Sequence, residues 1–170
     1  MSGRDIGPWY RAYDAAGLIP GLDPPANLRA AAAAAGCVVA SDARRARESA
    51  ARLTAPERVR TEPLLREVGF PDAIPVDLRL RPDAWVLIAR GLQLLRRCEG
   101  DEPVPATRAR AMGAADALSR LADDHHTVIA VGHGWFNRFI ARELRRRGWI
   151  GPRWPPTGYW SAATYRRRSV

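Results

Sequence analysis

The stretch VIAVGHGWFNRFIARELRRRGW, Val128 to Trp149, decides how this chain is read. It opens on an apolar run of buried-strand type and turns at Gly132-His133-Gly134. It continues from Trp135 to Arg147 with helical spacing until Gly148 stops it. The same pattern occurs earlier: Cys37 to Ala40 (CVVA) reads as a buried strand, Ser41 and Asp42 offer N-cap side chains, and ARRARESAARL follows as a helix. Strands separated by helices imply parallel pairing, and therefore a three-layer α/β/α sandwich in one domain spanning 1–170.

The remaining elements fit around these two units. Helices are expected over Pro8 to Ala16 and between Pro25 and Gly36. A further helix should run from Pro82 to Arg97, with Trp85, Ile88, Leu92 and Leu95 inward. Another should run from Thr107 to Ala122, with Met112, Ala115, Leu118 and Leu121 inward. Arg58 to Glu62 reads as a short strand, Glu62 to Leu80 as mostly irregular, and Glu99 to Pro105 as a loop. Thr127 to Val131 is expected as an inner strand of the sheet, and Gly158 to Arg166 (GYWSAATYR) as a last strand paired within it.

Composition bounds the function classes. With 170 residues, 46% of them hydrophobic, the chain can bury a core and is not of disordered type. No apolar run reaches the roughly 20 residues of a membrane helix, and MSGRDIGPWYRAY lacks the apolar centre of a signal peptide. A cytoplasmic protein is expected, with no membrane partner. Cys37 and Cys98 have no metal-like spacing and read as free thiols in or near the core. The net charge is +9 and every basic residue is Arg. The arginines are dispersed rather than gathered in a block, and no nucleic-acid module is readable. An arginine-rich nucleic-acid-binding module is therefore the weakest of the functional alternatives.

In open α/β sheets, ligands bind beyond the carboxyl ends of the strands. Both strand-to-helix turns carry chemistry there: Ser41-Asp42-Ala43-Arg44-Arg45 in one, Gly132-His133-Gly134 in the other. Glycine lets backbone approach a ligand, helix N-termini offer N–H groups and a positive dipole end, and Arg presents a fork matched to phosphate oxygens. Together these features suggest a phosphate site. No metal or other cofactor is called for when Arg and His supply the positive field.

These segments resemble the histidine phosphatase superfamily, the phosphoglycerate-mutase-like fold. VVASDARRARESAARL is similar to the family's Ser-x-x-x-Arg-Ala segment at Ser41, Arg45 and Ala46. LLREVGF resembles its Leu-x-Glu segment at Glu67, VIAVGHGWFNRFIARELRRRGW its second histidine motif at His133, and GYWSAATYR its closing strand. The resemblance implies phosphoryl transfer through a phosphohistidine, as in phosphomonoester hydrolases and mutases. It implies Arg45, His133 and Gly134 as phosphate-binding residues, with His133 and Glu67 as the catalytic pair and Glu67 as the acid that protonates the leaving oxygen. The partner so implied is a small phosphorylated substrate or inorganic phosphate.

One departure is marked. The family's nucleophilic histidine sits in an Arg-His-Gly motif at the end of a first, central strand. No Arg-His-Gly occurs in this sequence, whose other histidines are His125 and His126, ahead of the Thr127 to Val131 strand. The resemblance therefore implies a sheet lacking its usual first central strand. It leaves two readings open: a shortened phosphatase with impaired catalysis, or a pseudoenzyme that binds phosphorylated ligands or a partner without turning them over.

Overall fold

The computed structural model describes residues 1–95 and 102–167. Six α-helices and three short strands occur among them, in the order α1 (Ile6–Ala15), α2 (Ala26–Ala34), β1 (Cys37–Ala40), α3 (Arg44–Leu53), β2 (Val59–Thr61), α4 (Pro82–Leu94), α5 (Val104–His125), β3 (Val128–Val131) and α6 (Gly134–Arg146). Helices surround a small parallel sheet, the α/β class that strand–helix alternation requires.

The sheet has the order β2-β1-β3, with both pairings parallel: Val38 lies opposite Val59 on one side and Ile129 on the other. All four residues of β1 are buried, so this apolar run has both faces and both edges covered. The chain divides into two compact units. One comprises 1–16 and 68–108, the other 17–67 and 109–170.

The second unit holds the sheet. Ala32 and Ala35 pack on Val38, with Leu53, Val59 and Ile129 at the margin of that cluster. The alanines of α2 therefore do more than favour a helix: their short side chains let it lie close against β1. Gly148, with φ of 83°, ends α6 in the left-handed conformation that glycine adopts without steric cost.

The first unit has its own core of Ile6, Phe70, Ile74, Trp85 and Ala89. Trp85 Nε1 donates to the Met1 carbonyl at 3.0 Å, so the indole is buried with its polar end satisfied. Arg90 is buried too. Its guanidinium donates to the carbonyls of Gly69 (2.8 Å) and Val68 (3.0 Å) and to Gln93 Oε1 (2.9 Å), and it stacks over Phe70. These bonds make it a core residue that holds the backbone at 68–69.

Five expectations need correction. Thr127 to Val131 is not an inner strand: among the described residues β3 pairs with β1 alone, Ala130 is exposed and the other three residues are half-buried. Gly158 to Arg166 forms no strand of the sheet. A turn and irregular backbone occupy it, and its one bridge joins Arg166 to Ile150 in antiparallel fashion. Along α4 the inward line is Trp85, Ala89, Arg90 and Gln93, while Ile88 and Leu95 are exposed. Along α5, Ala111, Ala114 and Ala115 are buried and Met112 is exposed. In α5 the inward side is made of small residues that allow close approach, while in α4 it holds polar side chains whose hydrogen bonds are met inside the unit. Finally, neither Ser41 nor Asp42 caps α3, whose N-cap position is Ala43. Cys37 is a buried free thiol; Cys98 and the Glu99 to Asp101 part of the expected loop lie outside the described residues.

Candidate phosphate site

Because β1 and β3 are parallel neighbours, their carboxyl ends deliver Ser41 and His133 to the same rim. The ladder continues one residue past β1, where Ser41 N donates to the Val131 carbonyl at 2.9 Å. Ser41 is fully buried and its Oγ accepts from Ala43 N at 3.3 Å, which shapes the turn into α3. Arg45 stands one residue into that helix and is partly buried.

His133 is the N-cap residue of α6 and is buried. Arg45 Nη2 lies 3.3 Å from its Nδ1, and Ser41 Oγ lies 3.1 Å from its Nε2. These contacts assign the ring's tautomer. A guanidinium can only donate, so Nδ1 accepts from Arg45 and the proton of the neutral ring sits on Nε2, which donates to Ser41 Oγ. The imidazole is thus oriented from both sides, by the first and fifth residues of the Ser-Asp-Ala-Arg-Arg turn.

Glu67 reaches the same helix start. Its carboxylate accepts from the backbone N–H of Phe136 (2.9 Å) and of Trp135 (3.3 Å), the second and third residues of α6. A negative carboxylate is well placed there, because those N–H groups have no partner within the helix and the dipole end is positive. This occupancy revises what the turn offers a ligand: two of the α6 N–H groups already bind a carboxylate. Gly134 is the first residue of α6, and a Cβ there would come within 2.8 Å of Thr157 Cβ. Its glycine admits the loop at Thr157 against the helix start.

The segment carrying Glu67 is tied down on two further sides. Arg66 donates to both Asp42 carboxylate oxygens, at 2.6 and 2.5 Å, joining it to the turn after β1. The Arg66 guanidinium beside Asp42 holds that carboxyl below the usual carboxylate range. Arg110, on α5, donates to the carbonyls of Leu64 and Arg66 at 3.0 and 2.6 Å. Sequence reasoning missed Arg66 and Arg110 and read Asp42 as a cap. Arg66 had one signal, its place beside Glu67; Arg110 had none, since nothing in a helical arginine reveals which carbonyls it meets.

Arg45, His133 and Glu67 therefore belong to one rim of one unit: Arg45 contacts His133, and Glu67 holds the helix that His133 opens. His125 and His126 lie at the other end of β3, before its first residue. Among the described residues no group of His, Cys, Asp and Glu has the make-up of a metal site, and no helix is long and apolar enough to cross a membrane.

The family model for the histidine phosphatase superfamily (branch 1) matches residues 26–164. No curated protein matches the chain in sequence. Among solved structures, the open reading frame Rv3214 from Mycobacterium tuberculosis is similar at 18% identity. The match covers 79% of this chain and 73% of that one, with a TM-score of 0.45.

Proposed function

Because the chain belongs to the histidine phosphatase superfamily, we propose that Arg45, His133 and Gly134 form an oxyanion site for a phosphorylated small molecule or inorganic phosphate, with the buried Ser41 orienting the imidazole. The observation that carries this reading is the contact of Arg45 with His133 at the carboxyl ends of two adjacent parallel strands. A guanidinium and an imidazole fixed side by side can share the oxygens of one phosphoryl group. Glu67, at the start of the helix that His133 opens, is the group the family resemblance names to protonate a leaving oxygen, a role for which its carboxylate must first take up a proton and release an α6 N–H group. Gly134 contributes by its backbone, since the residue is pressed against Thr157.

Turnover by this chain is a separate matter, and here the reading is of impaired catalysis. His133 has Nδ1 engaged by Arg45 and Nε2 by Ser41. With the Nδ1 lone pair taken up by Arg45, what the ring can offer a ligand is its Nε2–H, which would turn from Ser41 to a phosphoryl oxygen; that is a stabilising role and not in-line attack on phosphorus. No Arg-His-Gly is present in the sequence to supply a second imidazole on the rim. These two facts support a reading of binding without efficient turnover, as in a pseudophosphatase.

Titration with tungstate, followed by thermal shift, tests the binding part. Tungstate should raise the melting temperature of the parent chain. Arg45→Ala should weaken binding by about tenfold or more, the value of charge-assisted hydrogen bonds. Equal binding by parent and variant would remove Arg45 from the site. Assay with p-nitrophenyl phosphate near pH 6 tests the second part. Robust turnover abolished by His133→Ala, with an acid-labile phosphohistidine, would make His133 itself the nucleophile.

A further inference from the structure

We propose that Arg110 is the positioning residue for the Glu67 carboxylate. Glu67 stands in an irregular segment, two residues past a single 3-10 turn at Pro63–Leu65, so no helix or strand of its own orients it. Its side chain nevertheless reaches two specific N–H groups on α6, which requires the backbone at 64–67 to be held from outside. Arg110 does this from α5. Its guanidinium donates to the carbonyls of Leu64 (3.0 Å), Arg66 (2.6 Å) and Glu67 itself (3.4 Å). One planar fork thus gathers three carbonyls within four residues, a geometry that a lysine ammonium cannot reproduce in full.

The same guanidinium lies over the Phe136 ring, 3.9 Å from its centroid. Phe136 is fully buried, and its own N–H is the shorter of the two that Glu67 accepts. Arg110 therefore touches both ends of the hydrogen bond: the backbone that carries the acceptor and the side chain of the residue that donates. Arginine stacked on an aromatic face loses little hydration and keeps its plane fixed, so the bonds it makes at its edge are directional. Arg110 acts through Glu67, and the inference rests on the assignment of Glu67 to the oxyanion site made above.

Amide hydrogen exchange at Trp135 and Phe136 tests it without relying on catalysis. In the parent chain both amides should be protected, and Glu67→Ala should speed their exchange by about tenfold, the worth of a hydrogen bond to a charged acceptor. Arg110→Gln should reproduce that loss, and Arg110→Lys should give an intermediate value. Adding Arg110→Gln to Glu67→Ala should cause no further loss at Trp135, where the arginine acts through the carboxylate; Phe136, whose ring it also covers, can lose somewhat more. Retained protection of Ile129 and Val131 certifies that each variant is folded. The proposal is overturned if Arg110→Gln or, should that variant not fold, Arg110→Lys leaves Trp135 and Phe136 as protected as in the parent. It is equally overturned if the arginine change speeds exchange as much in the Glu67→Ala background as alone, which marks general loosening. Tungstate titration of the parent chain separates the two readings. Absence of binding there rejects the oxyanion site, while the exchange pattern decides on Arg110 by itself.

Discussion

At the scale of single residues, the rim combines groups that bind an anion with groups that already bind each other. Asp42 shows how far the second set matters. Its carboxyl is held below the ordinary range chiefly by hydrogen bonds from Arg66, with the opposite charge acting in the same direction. A carboxyl whose folded value is depressed adds stability that is fully present above its unfolded value, near 3.8, and is lost as pH falls through the folded value. The parent chain should therefore lose stability on acidification below about pH 4 more steeply than Asp42→Asn. Urea midpoints measured from pH 6 down to pH 2 check this, and parallel curves for the two proteins would rule out the pair as a source of acid sensitivity. Because Arg66 is two-thirds exposed, the difference should be modest, within the range of surface ion pairs.

At the scale of elements, the two strands that deliver the site are unequal. β1 is covered on both sides; β3 is an edge, although both are short apolar runs of four residues. The ladder makes a sharp prediction from this. Thr127 and Val131 turn their carbonyls to Cys37 N and Ser41 N, at 3.2 and 2.9 Å, so the odd-numbered residues of β3 direct their backbone at β1. The even-numbered residues, Val128 and Ala130, direct theirs at the open edge. Their amides should exchange with solvent much faster than those of Ile129 and Val131, by a factor that native-state exchange will read directly. Uniform protection along 128–131 would mean that a further strand covers this edge in solution. Burial predicts a second contrast. Val38→Ala should cost about 2 kcal/mol, while Val131→Ala should cost less than half as much, measured by urea unfolding.

At the scale of the whole molecule, the chain forms two compact units, and every residue of the proposed site lies in the one that contains the sheet. The other has a core of different character, built on Trp85, Phe70 and Ile6 and closed by Arg90. Trp85→Phe removes the donor to the Met1 carbonyl and leaves a small void, so it should lower stability by about 1–2 kcal/mol. Tungstate affinity, measured well below the melting transition, should stay within about twofold of the parent. A large change in affinity would show that the first unit shapes the site.

The local order was legible in the sequence because its causes are local. Apolar runs bounded by glycine or Ser-Asp, the Pro at the start of α4 and the glycine after α6 act within a few residues, and three of the four expected strands and all six expected helices are present. The turns bearing Arg45 and His133 were legible for the same reason, as was their common rim, since parallel pairing of β1 with β3 places both carboxyl ends together. Pairing partners are not a local property. Val128–Val131 is as apolar as a central strand and is an edge; Gly158–Arg166 alternates like a strand and joins no sheet. The same holds for the bonds that organise the site. That Glu67 would meet the start of α6, that Arg66 would meet Asp42, and that Arg110 would gather three carbonyls depends on which segments the folded chain brings within 3 Å. Sequence determined which groups can donate, accept or carry charge. Only the tertiary structure decided which of them meet, because a hydrogen bond is set by distance and direction between residues that can lie dozens of positions apart.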